Sequence, residues 1–453
     1  MKKILLLFFL IPITLLSQEI NGNWIGTLVF GTQKIELSFL IEREGQGLKA
    51  SMDIPAQGVV KNKAARVLFE AGNFEISFPQ FNIVYKAKLS EQFDLIGDFV
   101  QNGFSIPLVL KKGAIVLERP QTPKGPFNYT TEEITFKNLK ASIDLAGTLT
   151  LPKDKKNFPL VIIISGSGPQ NRNGDLFGHS LYYVIAHHLS QNGIGVLRYD
   201  ERGVGMSEGD FKTGSIDTFS DDVLAAMSYL KSRKDLSRNS LGLIGHSLGG
   251  IIAPNVASQK KEIDFLILLA APGISGDSLM LRQKEIMERK VGLSEAQITQ
   301  GQNLMRSLYD ILIQNTNSGQ TLEEQIKQKL TQTYGVQLPE QQRLAIIKQL
   351  TSKEILSLIR ANPIQNLEKL KIPMLVLNGS LDLQVNAIDN LTAIKNALKN
   401  NPKAQIKSLE NLNHLFQESL SGEISEYYTN TQTISPEVLE MMTGWIVSLK
   451  NKR

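Results

Sequence analysis

The chain has 453 residues, more than one ordinary domain needs and enough for two or three. Apolar residues make up 42% and charged residues 21%, a globular balance that excludes a largely disordered protein. No cysteine is present, which excludes a disulfide framework, a thiol nucleophile, a zinc–thiolate site and a lipid-modified N-terminal cysteine. The net charge is +5, or +3 without Lys2 and Lys3, and the basic residues form no long run, so nucleic-acid binding draws little support.

Lys2 and Lys3, an apolar core over 4–16 and the small Ser17 read as a signal peptide, residues 1–17, leaving a mature chain from about Gln18. An uncleaved N-terminal anchor is the alternative. The core is short for a bilayer span, and no later stretch reaches ~18 uninterrupted apolar residues. The expectation is export to the periplasm or the cell exterior, with no transmembrane segment in the mature chain. Residues 18–118 read as a small all-β domain: runs at 24–30, 35–41, 67–69, 74–78 and 83–89 are punctuated by Gly31, Gly45, Pro55, Gly72, Pro79, Gly97 and Gly103. Short strands at that spacing suggest an antiparallel barrel or sandwich. Asn23-Trp24-Ile25-Gly26 loosely resembles the opening strand of a lipocalin-type barrel. Residues 119–128, with Pro120, Pro123 and Pro126, read as a stiff linker.

From 129 to 453 the pattern changes. Strands at 133–136 and 143–151 lead into 160–164, a continuous apolar, β-branched run of the kind buried on both faces of a parallel sheet. A helix at 180–191, a strand at 193–199, a helix at 216–232, a strand at 241–245, a helix from about 248 and a strand at 265–269 follow. Later come a strand at 374–378, a helix at 387–399, a strand at 405–409 and a helix at 436–449. Such alternation predicts a mostly parallel, doubly wound α/β sheet. Residues 273–365 interrupt it with helical periodicity and no strand signal. They read as a helical lid over the site, or else as an outlying helical bundle.

The chemistry concentrates in Gly245-His246-Ser247-Leu248-Gly249, with Gly250 next. A serine between a strand and a helix, flanked by glycines, matches the nucleophile elbow of the α/β-hydrolase fold. The turn exposes the Ser247 hydroxyl and sets the Leu248 N–H at a helix N-terminus, where it can hold an oxyanion. Serine needs a base and an orienting acid, in the chain order Ser, acid, His. Of five histidines only His414 follows Ser247, in the loop after the last predicted strand. His179, His187, His188 and His246 read as structural. Asp382, in the loop after strand 374–378, is the favoured acid, and Asp389 is its rival within a predicted helix. The loop Ser165-Gly166-Ser167-Gly168-Pro169 follows strand 160–164 and should supply the second oxyanion N–H, from Ser167 or, failing that, Gly168. No Lys-Ser/Thr completes a phosphate-binding loop there.

These segments, with SGSGPQNRNG at 165–174, RYDERGVGMSEG at 198–209, NGSLDLQV at 378–385 and NLNHLFQ at 411–417, resemble bacterial exported carboxylesterases of the α/β-hydrolase superfamily that carry an extra N-terminal β domain. The resemblance covers about 129–453 and, more loosely, the β-rich half and linker. It implies Ser247, Asp382 and His414 as a triad, Ser167 and Leu248 as oxyanion donors, and cofactor-free hydrolysis of short acyl esters. Ser165 stands where many superfamily members have His, and Leu248 where relatives often have an acidic residue; both changes keep the N–H groups and alter pocket polarity. Asp200 to Ser207 resembles the superfamily's structural turn, with Arg202 bracing loops. Arg172 is a weaker candidate to face the site.

The expected function is therefore a serine ester hydrolase acting on a small-molecule ester, with no cofactor, metal or nucleic acid. Two alternatives stand beside it. An aminopeptidase or other peptidase of the same fold would want acidic lid residues for a substrate ammonium, with Glu285, Glu288, Glu323 and Glu324 as candidates. An exported protein whose β domain captures a lipid or glycan, with a vestigial hydrolase, is the other.

Overall fold

The computed structural model describes residues 20–450 apart from 31–32, 58, 116–117, 154–156, 237–238 and 315–320. The signal-peptide reading of residues 1–17 lies outside the described residues. The chain divides into two compact units, one made of the residues up to Glu118 together with Ile424–Thr431, the other of Arg119–Glu423 with Gln432–Arg453.

The first unit is an antiparallel meander of nine strands: β1 (Gly22–Phe30), β2 (Gln33–Glu44), β3 (Gly47–Ile54), β4 (Val59–Lys63), β5 (Arg66–Glu70), β6 (Asn73–Phe78), β7 (Ile83–Leu89), β8 (Leu95–Gln101) and β9 (Phe104–Lys112). The sheet runs β4-β3-β2-β1-β9-β8-β7-β6-β5. The pairing of β1 with β9 curls it into a half-barrel whose edges are β4 and β5. Alternation along each strand sends every second side chain inward. Trp24, Phe39, Phe74, Phe78, Tyr85 and Phe99 fill the interior and are essentially unexposed. The polar handles of two are satisfied there: Trp24 Nε1 donates to Ile20 O (2.7 Å) and the Tyr85 hydroxyl to Leu95 O (2.8 Å). An interior packed with aromatic side chains in this way is the hydrophobic core of the unit.

The second unit opens with β10 (Tyr129–Asn138), β11 (Ile143–Pro152) and β12 (Leu160–Ile164), then a two-residue-stranded hairpin, β13 (Asp175–Leu176) and β14 (His179–Ser180). Next come α1 (Leu181–Gln191), β15 (Gly195–Tyr199), α2 (Ile216–Ser232), β16 (Leu241–His246), α3 (Gly249–Gln259) and β17 (Phe265–Leu269). The insertion follows as α4 (Gly276–Lys290), α5 (Glu295–Gln314), α6 (Leu322–Tyr334), α7 (Glu340–Leu350), α8 (Lys353–Ile359) and α9 (Ile364–Leu367). The fold closes with β18 (Met374–Gly379), α10 (Ala387–Ala397), β19 (Ala404–Leu409), α11 (Ile424–Thr429) and α12 (Pro436–Lys450); α11 belongs to the first unit.

The sheet order is β10-β11-β15-β12-β16-β17-β18-β19. From β15 to β19 all pairs are parallel, and β10 and β11 add an antiparallel edge. This is the α/β-hydrolase fold. β12, β15, β16 and β17 are buried along their whole length, which is why they read as unbroken apolar runs. Each fully buried Leu or Ile there contributes about 1.5–3 kcal/mol. The chain leaves β12 for β15 on one side and returns to β16 on the other. The crevice beyond the carboxyl ends of β12 and β16 is thus the topological switch point where such sheets bind ligands.

The insertion builds its own core from Leu308, Leu312, Ile326, Leu330 and Ile347. Its α6 begins at a reciprocal capping box between Thr321 and Glu324. Among the described residues no helix is long and apolar enough to cross a membrane.

Candidate active site

β16 ends at the switch point, and Ser247 follows it with φ 52°, a left-handed backbone that serine rarely adopts. Its N–H donates to Leu269 O (2.9 Å), and its carbonyl accepts the Gly250 N–H (2.8 Å). The flanking glycines are steric necessities. A Cβ on Gly245 would lie 2.1 Å from Gly249 O, and one on Gly249 2.3 Å from Ile164 O. The turn therefore presses the start of α3 onto the ends of β12 and β16, leaving Ser247 partly exposed while Leu248 is buried.

Asp382, in the loop after β18, is buried with both carboxylate oxygens engaged. Oδ1 accepts the Gln384 and Val385 N–H groups, each at 2.8 Å, and Oδ2 lies 2.8 Å from His414 Nδ1. With its oxygens fixed by two amides, the carboxylate can meet the imidazole in one orientation. Asp389 turns elsewhere: it lies in the first turn of α10 and takes the Arg282 Nε–H (2.8 Å).

The His414 loop is cross-braced. Asn413 Oδ1 accepts the Leu415 and Gln417 N–H groups, both at 3.0 Å. The Gln417 amide nitrogen donates to His179 Nε2 (3.0 Å), so His179 carries its proton on Nδ1, 2.8 Å from Thr433 Oγ1. His246 is a second support. Its Nε2 lies 3.0 Å from His414 O and must be the protonated nitrogen; Nδ1 then accepts from the Tyr182 hydroxyl (3.2 Å). Tyr182 Oη in turn accepts the Gly166 N–H (3.0 Å). A hydrogen-bonded chain thus runs from the loop after β12, through Tyr182 and His246, to the His414 backbone. Burial, with His414 beside it, pushes the His246 imidazole down to about 3, so it stays neutral. His187 and His188 sit apart on α1, His187 against the Tyr129 hydroxyl (2.9 Å) and His188 near Glu440 (3.7 Å).

The loop after β12 lies against the nucleophile: a Cβ on Gly166 would come within 3.2 Å of Ser247 Cβ. The Gly166 N–H goes to Tyr182, the Gly168 N–H to Glu354 Oε1 (2.8 Å) and the Gln170 N–H to Glu201 Oε2 (2.8 Å); Pro169 has none. Between Gly166 and Gln170 the Ser167 N–H alone has no protein acceptor among the described residues. Gly168, the fallback donor, is already committed to Glu354.

Glu201 is the unforeseen part of this site. It is 7% exposed, and its Oε1 accepts the Ser165 hydroxyl. Burial pushes its carboxyl up to about 8, against the lowering pull of the Ser165 and Gln170 hydrogen bonds, while Glu354 and Asp222 raise it further. Its neighbours in the 200–207 turn are braces. Arg202 grips Asp222 through Nε and Nη2 (2.8 Å each) and Thr218 O (2.8 Å), and Ser207 Oγ donates to Asp200 O (2.7 Å). Arg172 joins Asp200 and Glu133. Of the insertion's acidic residues, Glu285 pairs with Arg282 and Arg289, Glu288 with Lys284, and Glu324 caps α6. A groove of about 750 Å³ lined by Ile274, Leu281, Arg282, Ile388 and Asp389 lies between α4 and α5 on one side and α10 on the other, and none of Ser247, Asp382 and His414 lines it.

Asn413 and Gln417, which flank His414, carried a readable sign as side chains able to knit their own loop. Tyr182, Glu201 and Glu354 did not.

Three comparisons bear on this arrangement. The chain is 25% identical over 323 residues to the esterase EstD of Thermotoga maritima, covering 71% of this chain and 68% of that protein. Among solved structures it is similar to an esterase of Pyrococcus furiosus (16% identity, TM-score 0.43, 74% of this chain and 98% of that one). It is also similar to a proline iminopeptidase-related protein of Thermus thermophilus (18% identity, TM-score 0.42, 71% and 98%). The model of the serine aminopeptidase, S33 family matches residues 178–418, more than half of the chain and the whole stretch from His179 through the elbow to the His414 loop. The chain belongs to that family of serine hydrolases.

Proposed function

We propose that this serine hydrolase cleaves carboxylic esters of short acyl chains through Ser247, His414 and Asp382. The observation that carries the reading is the His414 Nδ1 to Asp382 Oδ2 hydrogen bond of 2.8 Å, together with a serine held in an elbow at φ 52° whose chain neighbour His246 lies 5.0 Å ring to ring from His414. Asp382 keeps the imidazole proton on Nδ1, which leaves Nε2 as the base. Ser247 Oγ attacks the acyl carbonyl as its proton passes to His414. The carbonyl oxygen, now negative, is held by the Ser167 and Leu248 N–H groups. His414 protonates the departing alcohol, then takes a proton from water, whose hydroxide releases the acid from Ser247. The insertion acts as a lid that shapes the acyl pocket, and the leader at 1–17 directs export.

The test is hydrolysis of 4-nitrophenyl esters across acyl lengths, wild type beside Ser247→Ala. Activity on short chains, lost by ~10⁴-fold or more in the variant, supports the reading. Equal rates in both proteins sink it. The family's description favours one further arm, an aminoacyl-4-nitroanilide. Faster cleavage of this amide than of any ester would move the reading to a peptidase.

A further inference from the structure

The loop that offers the Ser167 N–H is held from three directions. Tyr182, on α1, takes the N–H of Gly166, and Glu201, after β15, takes that of Gln170. The third anchor comes from 186 residues further along the chain: Glu354, in the first turn of α8, accepts the Gly168 N–H at 2.8 Å. The peptide between Ser167 and Gly168 is thereby tied on both sides, since the Gln170 side chain donates to the Ser167 carbonyl at 3.1 Å. Fixing that plane fixes ψ of Ser167 and φ of Gly168, which sits at +81°. The neighbouring plane, which carries the Ser167 N–H, then has little freedom left.

Glu354 can impose this because α8 is firmly rooted. The Ile216 N–H at the start of α2 donates to Ser357 Oγ (3.2 Å), and Leu358 and Ile359 are buried. Gly276, opening α4, sits so close that a Cβ would come within 1.6 Å of Leu358 O. The side chain therefore reaches the loop from a fixed base. A carboxylate acceptor is roughly twice as strong a partner for an amide N–H as a neutral one, and shorter.

We propose that Glu354 is a positioning residue that the insertion contributes to the oxyanion hole, holding the Ser167–Gly168 peptide so that the Ser167 N–H meets the developing oxyanion. This rests on the ester-hydrolase reading. Glu354 touches no substrate; it acts through the loop. The gain appears only where negative charge has formed on the acyl oxygen, so the effect belongs in kcat rather than in KM.

The test compares Glu354→Gln, which keeps an acceptor oxygen, with Glu354→Ala and Glu354→Met, which lose it; the methionine fills the space should the alanine variant not fold. On 4-nitrophenyl acetate the two non-accepting variants should lose about 10- to 100-fold in kcat, less than the ~10²–10³ for deleting a donor outright, with KM within about twofold. The glutamine variant should stay within about threefold of wild type, because the acceptor geometry survives. Labelling of Ser247 by an alkyl fluorophosphonate should slow in parallel with kcat, since its phosphoryl oxygen occupies the same hole as the serine oxygen displaces fluoride. Wild-type kcat in both non-accepting variants, a loss confined to KM, or a glutamine variant as slow as alanine overturns the proposal while ester hydrolysis stands. A wild type that neither hydrolyses esters nor takes the label overturns both.

Discussion

Glu201 makes a pH-dependent prediction whose size follows from its burial. Its folded-state value lies near 8, against 4.5 for an exposed glutamate, because the carboxyl is 7% exposed beneath the loop after β12. Between those values the folded protein keeps a proton that the unfolded chain has released. The contribution to stability is full below about 4.5 and is lost as the pH rises through 8. One retained proton changes stability by ~1.4 kcal/mol per pH unit, which from pH 5.5 to 7.5 amounts to roughly 2–3 kcal/mol once partial ionisation near 8 is included. In a unit of this size that lowers the melting temperature by on the order of 5 °C. Many groups titrate over that range, so the measurement is a difference. Glu201→Gln is neutral at every pH and lacks this slope. Melting temperatures of wild type and variant, taken by scanning calorimetry from pH 5.5 to 8.5, should diverge, with the wild type losing ground as the pH rises. A constant gap between the two curves would mean that Glu201 ionises as an exposed carboxylate does, and the burial argument would fail.

Asp382→Asn should fold normally, since its Oδ1 contacts survive, and lose ~10⁴-fold in kcat on 4-nitrophenyl esters, because an amide nitrogen facing Nδ1 favours the wrong imidazole tautomer; a loss under tenfold would remove Asp382 from the triad. Tyr182→Phe cuts the chain between Gly166 and His246 and leaves the Gly166 N–H without its acceptor, which should cost about 1–3 kcal/mol of stability by chemical denaturation, whereas an unchanged midpoint would show the link to be idle. Gly245→Ala places a methyl 2.1 Å from Gly249 O, so the variant should be either unfolded by circular dichroism or folded and unlabelled by a fluorophosphonate; a folded, labelled protein would contradict the tight-turn geometry.

What the sequence makes legible is local. The strands of the sheet centre announce themselves because residues such as Leu160 to Ile164 are buried on both faces and leave no polar positions. Ser247, Asp382 and His414 each stand in a short pattern, a glycine-flanked turn or a loop directly after a strand, whose cause lies within a few residues. Asp382 stands in the loop and Asp389 in the first turn of α10, and packing aims one at His414 and the other at Arg282. The rest of the site is built from single hydrogen bonds between distant segments: Glu354 with Gly168, Gln417 with His179, Tyr182 with His246. Such pairs have no period and no composition, and each partner alone looks like an ordinary surface or core residue. The curl of β1 onto β9 is equally silent, because strand alternation tells which face is apolar and not which strand lies alongside.

The β unit is made of two separated pieces of chain, the residues up to Glu118 and the segment Ile424–Thr431 that carries the buried Tyr427 and Tyr428. Its final piece is synthesised about 300 residues after the rest of it. At ~5–20 residues per second that delay is tens of seconds on the ribosome, long enough for the half-barrel to condense with one element missing. All strands of the hydrolase sheet are synthesised in that interval, and α11 follows ten residues past His414. A truncation at the linker would therefore not release a finished module; it would leave Tyr427 and Tyr428 without the unit in which they belong.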